Sequence, residues 1–109
     1  MHELAIAESV VDTVLRRTEG RPVSVVRLRI GRLSGVVPDA LSFAFEVASV
    51  GTPLQGSTLE LEQPQGEAKC RDCGERFVLH DLILLCPCGS ADVEVVAGRE
   101  LAVASVEVS

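Results

Sequence analysis

Cys70-Arg71-Asp72-Cys73 is followed by twelve residues and then Cys86-Pro87-Cys88, and this stretch decides how the chain divides. Two cysteine pairs a dozen residues apart present four thiolates tetrahedrally, as in a zinc ribbon. Gly74 and Gly89 follow the pairs, where glycine accepts the positive φ that turns backbone N–H groups toward sulfur. Between the pairs, Val78, Leu79, Leu82, Ile83 and Leu84 predict a hairpin with its own packing face. The second pair has one intervening residue where a ribbon knuckle normally has two. A tighter turn is expected there, with the loss of a sulfur-directed N–H. Thiol–disulfide exchange is a weaker reading, because a Cys-x-x-Cys redox pair usually opens a helix and this one lies between strands. Four unliganded buried cysteines are another alternative. His80 offers a substitute ligand, or is simply a surface histidine.

The flanking sequence supplies the rest of the fold. Leu4, Ala7, Val10, Val11, Val14 and Leu15 recur at three- and four-residue steps, with Glu8, Asp12, Arg16 and Glu19 opposite. This predicts an amphipathic helix of about four turns that ends at Gly20 and Pro22. Val26, Leu28 and Ile30 alternate with Arg27 and Arg29, the pattern of a strand with one buried face. Pro38 opens a second helix with Leu41, Ala44, Phe45 and Ala48 as its stripe, running to about Val50. Residues 58–62 alternate again. Val93 to Val96 and Glu100 to Val108 are β-rich, and the last segment changes phase between Val103 and Ala104, as a bulge or a doubly buried strand would. The predicted class is α+β: a small three-stranded sheet with two helices on one face, plus an inserted zinc-ribbon-like subdomain. The expected boundaries are 1–65 with 93–109 for the main domain and 66–92 for the insert. The insert holds too few apolar residues to fold without a staple.

Composition narrows the function. The 109 residues carry ten basic and 16 acidic side chains, a net charge of −6. That balance argues against nonspecific binding to nucleic acid or anionic membrane. Three Phe and no Trp or Tyr leave few groups on which to stack bases. No apolar run approaches the roughly 20 residues of a membrane span. The start Met1-His2-Glu3 has no basic region of a signal peptide, and four cysteines in a cytoplasmic protein hold a metal more readily than they form disulfides.

The amino terminus carries the second chemical signal. His2 is one of two histidines and reads first as an exposed residue beside a helix start. A sharper reading uses the Met1 amine, the His2 amide nitrogen and the His2 imidazole as two fused chelate rings. Three nearly coplanar nitrogens suit a square-planar ion, so Ni(II) or Cu(II) fits better than zinc. Glu3 can add an amide nitrogen or a carboxylate. The site requires that Met1 be retained, and a bulky residue at position 2 favours retention.

The chain resembles the HypA/HybF family of hydrogenase-maturation nickel chaperones. The matching features are Met1-His2-Glu3-Leu4, Ile30-Gly31-Arg32-Leu33-Ser34-Gly35-Val36 with Pro38, Leu41-Ser42-Phe43-Ala44-Phe45-Glu46, Gly51-Thr52, the two cysteine pairs, and Gly98-Arg99-Glu100-Leu101. They cover nearly the whole chain in order. The resemblance implies a nickel site with His2 as its essential ligand and a structural Zn(II) held by Cys70, Cys73, Cys86 and Cys88. It implies transient carriage of Ni(II) to the large subunit of [NiFe]-hydrogenase, work with a HypB-type nickel-binding GTPase, no catalysis, and in some members a contribution to urease. A monomer or a homodimer accords with it. Two departures stand out. The family usually has Cys-Pro-x-Cys at the second knuckle, and it commonly has an acidic residue where this chain has Val37, so Asp39 or Glu3 would have to replace that carboxylate.

Two other readings compete. A zinc-ribbon interaction module would use no nickel. A hydrolase with catalytic zinc is disfavoured, because four cysteines close the coordination shell to water.

Overall fold

The computed structural model describes His2–Ser109, and Met1 lies outside the described residues. Eight elements follow in order: α1 (Glu3–Thr18), β1 (Val23–Ile30), α2 (Pro38–Ser49), β2 (Thr58–Glu62), β3 (Gly66–Cys70), β4 (Arg76–Leu79), β5 (Val93–Ala97) and β6 (Leu101–Val108). They form two three-stranded sheets, β2-β1-β6 and β4-β3-β5. The α+β architecture with its cysteine-bearing insert is as the sequence predicts.

β1 is the central strand of the first sheet. It pairs parallel with β2 and antiparallel with β6. A parallel pair needs a crossover, and α2 supplies it. The period-two pattern of β1 sends Val26, Leu28 and Ile30 inward, where they meet Ala7, Val10, Val11 and Val14 of α1 and Leu41, Ala44 and Phe45 of α2. The other face of β1 carries arginines. Arg27 bonds Glu60 at 3.3 Å and Glu107 at 2.8 Å, and Arg29 reaches Glu62 at 3.2 Å. These pairs are half-exposed, so they order the open face more than they stabilise it.

The phase change in β6 is a bulge. Arg27 pairs with Ser105 and Leu28 with Val103, so Ala104 is the extra residue. The bulge brings both Val106 and Val103 against the core, and the doubly buried alternative falls away.

Two expectations are corrected. The chain does not return to the main sheet at about Val93. Residues 93–97 form β5, which pairs antiparallel with β3, so the second sheet continues through Ala97. Pairing partners are set by tertiary structure, and β-rich composition does not reveal them. The expected packing face between the cysteine pairs is also absent. Only Leu79 of those five residues is buried, whereas Leu82 is 74% exposed and Ile83 66%. β4 pairs back onto β3 and ends at Leu79, leaving the following leucines on a loop.

The molecule is elongated, 52 × 21 × 17 Å. Its radius of gyration is 16.9 Å, against about 13 Å for a compact chain of this length, because the two sheets lie end to end. Three glycines make the joint. A Cβ on Gly31 would overlap the Gly98 carbonyl, one on Gly98 would lie 2.5 Å from the Gly66 Cα, and one on Gly66 would lie 2.6 Å from Leu33 Cδ1. Gly98 also has φ +105°, a conformation side chains resist. Hydrogen bonds tie the crossing: Gly31 N–H to Glu100 O at 2.8 Å, Arg32 N–H to Pro64 O at 3.0 Å, and Leu33 N–H to Gly98 O at 2.7 Å.

Gly98→Ala should therefore destabilise the protein by upwards of about 3 kcal/mol, whereas Gly20→Ala, with positive φ but open space around it, should cost only about 1 kcal/mol. Thermal unfolding of the two variants side by side checks this, and equal midpoints would show that the crossing yields freely.

Candidate metal centre

The first cysteine pair is the turn of a hairpin. Cys70 closes β3, the chain reverses through Asp72 and Cys73, and β4 begins at Arg76. The second pair sits in the loop before β5. The four Sγ atoms lie within 4.8 Å of one another, with Cys70 and Cys86 buried and Cys73 and Cys88 exposed. Cys70 Sγ is 3.8 Å from Cys88 Sγ, and Cys73 Sγ is 3.6 Å from Cys86 Sγ. A tetrahedron of sulfurs about zinc, with Zn–S near 2.3 Å, has edges of about 3.8 Å. The observed spacings match that figure and lie far from the ~2.05 Å of a disulfide. The four cysteines thus make a structural metal site of the zinc type, closed to further ligands.

The two knuckles follow one rule despite their different lengths. In the first, the Cys73 N–H points at Cys70 Sγ at 3.4 Å, and the Gly74 N–H donates to Cys70 O at 2.9 Å. In the second, the Cys88 N–H points at Cys86 Sγ at 3.4 Å, and the Gly89 N–H donates to Cys86 O at 2.8 Å. In each, the second cysteine donates to the first sulfur and the next glycine donates to the first carbonyl. The missing residue shortens the carbonyl turn by one position and leaves this pair of bonds in place. The expected loss of a sulfur-directed N–H therefore does not extend to the one from the second cysteine. Gly74 (φ +77°) and Gly89 (φ +96°) provide the left-handed backbone this requires.

Electrostatics explain why a cation is needed. The Cys73 N–H lowers the Cys70 thiol to about 7. The Cys88 N–H, the largest influence on Cys86, pulls its thiol down, but burial and the neighbouring thiols outweigh it and push the group up to about 12. The set cannot ionise fully at neutral pH on its own. A divalent ion supplies the charge that lets all four sulfurs become thiolates.

Sequence reasoning missed the brace around the sulfurs. Arg71 Nη1 bonds Asp92 Oδ1 at 2.9 Å, and the Arg71 N–H donates to Asp92 O at 2.9 Å. The Ser90 hydroxyl donates to Asp72, and the Asp92 N–H donates to Ser90 Oγ at 3.1 Å. These bonds join the knuckles to each other, a spatial relation that no spacing encodes. His80 is not one of this set. It lines a cleft with Arg32, Leu33, Gln65 and Val78, between the two sheets.

At the other end, His2 is the N-cap residue of α1, and its exposed imidazole makes no capping bond. Its carbonyl accepts from the Ile6 N–H at 3.2 Å. Glu3 is engaged: its Oε2 accepts from the Val37 N–H at 3.2 Å, which joins the start of α1 to the start of α2 and holds the carboxyl below the usual range. Asp39 is exposed in the first turn of α2. Among the described residues the four cysteines are the sole group of three or more His, Cys, Asp or Glu ligand atoms in metal-binding proximity. His2, Glu3 and Asp39 do not form a second such group, and Met1, the remaining expected nickel residue, lies outside the described residues.

The whole chain has close counterparts. Residues 1–108 match the family described as hydrogenase/urease nickel incorporation, metallochaperone, hypA. The hydrogenase maturation factor HypA of Geotalea uraniireducens is 45% identical over 109 residues, covering 99% of both chains. That of Nostoc sp. is 41% identical over 108 residues, covering 99% of this chain and 96% of its own. The solution structure of the Ni metallochaperone HypA from Helicobacter pylori superposes with a TM-score of 0.68 at 23% identity, over 99% of this chain and 97% of that one, and so speaks for the fold.

The metal unit should not stand without its ion. Its buried side chains are few, Ala68, Cys70, Leu79 and Cys86, so metal binding supplies its folding free energy. Chelation or Cys70→Ser should raise amide hydrogen exchange across residues 66–97 and leave the core of α1, β1 and α2 protected. Unchanged exchange after verified metal removal would sink the structural-metal reading.

Proposed function

The chain belongs to the HypA family of hydrogenase and urease nickel-incorporation metallochaperones, and from this premise we propose that it binds Ni(II) at its amino terminus and helps insert it into the large subunit of [NiFe]-hydrogenase. One observation carries the reading: the family match runs from residue 1 to residue 108 and so includes the Met1-His2-Glu3 start as well as the four cysteines. The cargo-handling unit comprises residues 1–65 together with the final strand, and the zinc-stapled unit comprises the second sheet. A HypB-type nickel GTPase is the expected co-worker. Reduced cysteines suit a cytoplasmic setting, and among the described residues no helix is long and apolar enough to cross a membrane.

Nickel is cargo here, and its site must both hold and release it. The Met1 amine, when free, donates one nitrogen. The His2 amide and imidazole donate two more, and three nitrogens in a near-plane suit Ni(II). The uncapped, exposed His2 side chain accords with this, since no capping bond has to break first. Glu3 Oε2 accepts from the Val37 N–H, which orients the first turn of α1, and the other carboxylate oxygen and the backbone nitrogen of Glu3 are the groups it has to offer. The bond also uses the backbone of the very residue whose side chain, a valine here, lacks a carboxylate.

Binding by these nitrogens requires them to lose protons, so affinity should fall as pH falls through the range where imidazoles protonate, about pH 6. Calorimetric titration of Ni(II) at pH 8 and pH 5 checks this. Equal affinities would rule out an imidazole and amide-nitrogen site.

His2→Ala and an amino-terminal extension should each reduce nickel binding and hydrogenase maturation while zinc stays near one per chain, and a carboxy-terminal extension should do neither. Metal content by mass spectrometry reads both ions at once. If only His2→Ala loses nickel, the imidazole works with side chains and the amine chelate is wrong. If both variants bind nickel normally, the amino-terminal site is wrong.

A further inference from the structure

β6 is an open edge of the first sheet. Among the described residues no strand lies beyond it in the order β2-β1-β6. Its inward-facing residues are all aliphatic, and each sits opposite a buried residue of β1: Leu101 opposite Ile30, Val103 opposite Leu28, Val106 opposite Val26 and Val108 opposite Val23. The β1 members are 4% exposed or less, yet Leu101 is 42% exposed and Val108 45%, and Val103 and Val106 are only partly buried. The helices cover β1 fully and β6 only in part. A groove of about 530 Å³ is left between α1 and β6, lined by Ile6, Ser9, Thr13, Leu101 and Val103.

The backbone of that edge has its own pattern. The Glu100 carbonyl accepts from the Gly31 N–H at 2.8 Å, and the Ser109 N–H donates to Pro22 O at 2.9 Å, so residues 100 and 109 turn toward β1. Alternation from each end puts the N–H and C=O of Leu101, Val103, Val106 and Val108 on the free side. These are the same four residues whose side chains face the groove. They stand symmetrically about the bulge at the 104–105 step, two before it and two after. A bulge usually guards an edge against pairing. At the midpoint of an eight-residue strand it acts selectively. A regular strand that follows Leu101 and Val103 is out of phase by Val106 and Val108. A second β6, turned antiparallel about a two-fold axis through the bulge, carries the same phase change at the same place.

We propose that β6 takes a second copy of this chain, the two β6 strands lying antiparallel about the 104–105 step and joining the two three-stranded sheets into one of six strands. Leu101 then meets Val108 of the second copy and Val103 meets Val106, on both sides of the axis, so the aliphatic side chains of both strands share one face. Charge fits this occupant. Glu107, the one charged residue of β6, falls opposite Ala102 of the second copy, which keeps the two carboxylates apart. α1 runs beside β6 in the same direction, with Ile6 bordering the groove at Leu101 and Arg17 and Arg21 bordering Val106 and Val108. The axis therefore sets two α1 helices antiparallel. The acidic half of each, with Glu8 and Asp12, lies along the basic half of the other, with Arg16 and Arg17, and the helix dipoles oppose. Such an interface is closed: each copy uses the same edge, and neither β6 is left open. The inference goes beyond the nickel reading and does not depend on which groups bind the cargo.

Sedimentation equilibrium of the full zinc-loaded chain should show monomer and dimer, and dilution should shift the amide resonances of α1 and residues 101–108. Leu101→Lys and Val108→Glu should each weaken the dimer about tenfold or more, since each enters the interface twice. Both side chains are nearly half exposed in the single chain, so the unfolding midpoint of the dilute protein should stay near that of the wild type. The double variant fixes the register. Within one chain, positions 101 and 108 stand at opposite ends of β6 and cannot meet. Across the axis each lysine would meet a glutamate, so Leu101→Lys combined with Val108→Glu should restore dimerisation. A wild type that stays monomeric up to about 1 mM would overturn the proposal and leave the edge to some other protein. A dimer indifferent to both single variants, or a double variant no tighter than the singles, would overturn it as well.

Discussion

There is no room for a side chain where Gly31 leaves β1 and passes under Gly98. The two backbones touch, and Gly66 completes the crossing from the strand that leads into the second sheet. Everything that distinguishes the two ends of the molecule is referred to this point. Residues 63–66 carry the chain out to the cysteines and residues 97–100 carry it back. The 31–37 loop, pinned to both by Arg32 and Leu33, ends at Val37, whose N–H holds Glu3. A chain of contacts, backbone to backbone except for the Glu3 carboxylate at its end, thus runs from the metal unit to the first turn of α1. Glycine is required because hydrogen bonds of 2.7–3.0 Å at the crossing leave no space to shift the strands apart.

Beyond the crossing, the second sheet lacks the means to hold itself. The first sheet buries four side chains from β1 alone, whereas the whole cysteine unit buries Ala68, Leu79 and two of the sulfur-bearing residues. The sulfurs do in one unit what valine and leucine do in the other. That division also explains why the shortened second knuckle is tolerated. The demands on a knuckle are that its second cysteine turn an N–H to the first sulfur and that the following residue take positive φ. Cys86-Pro87-Cys88-Gly89 meets both with one residue fewer. Leu82 to Leu85 take no part in this core, and their exposure follows from a unit whose stability comes from coordination.

Much of this was legible in the sequence because it is local. The 3.6-residue stripe of α1, the alternation of β1 and the Pro38 start of α2 depend on neighbours a few positions away, and each appears where the pattern predicts. So do the cysteines, since their spacing is itself the geometry. What escaped depends on distant partners. β5 is assigned to the second sheet by its pairing with β3, more than twenty residues earlier in the chain. The bulge at Ala104 could be suspected from the phase of Val103 and Val106, but only the register against Arg27 and Leu28 locates it. The leucines after His80 misled because leucine usually signals a core. The role of Glu3 was open for the same reason, since nothing in its sequence surroundings announces the Val37 N–H.

The two ends of the molecule pose opposite chemical problems, and the structure treats them differently. A structural ion should not exchange, and the cysteine site closes four sulfurs around it, buries two of them and braces the knuckles with Arg71, Asp72, Ser90 and Asp92. A delivered ion has to leave. On the proposed reading its ligands are terminal and stepwise displaceable, and one oxygen of the Glu3 carboxylate is held by the Val37 N–H. Holding one Glu3 oxygen on the Val37 N–H fixes where α1 begins without engaging the His2 imidazole. Rigidity in the helix start and openness at the terminus are therefore compatible, because different atoms of the same two residues supply them.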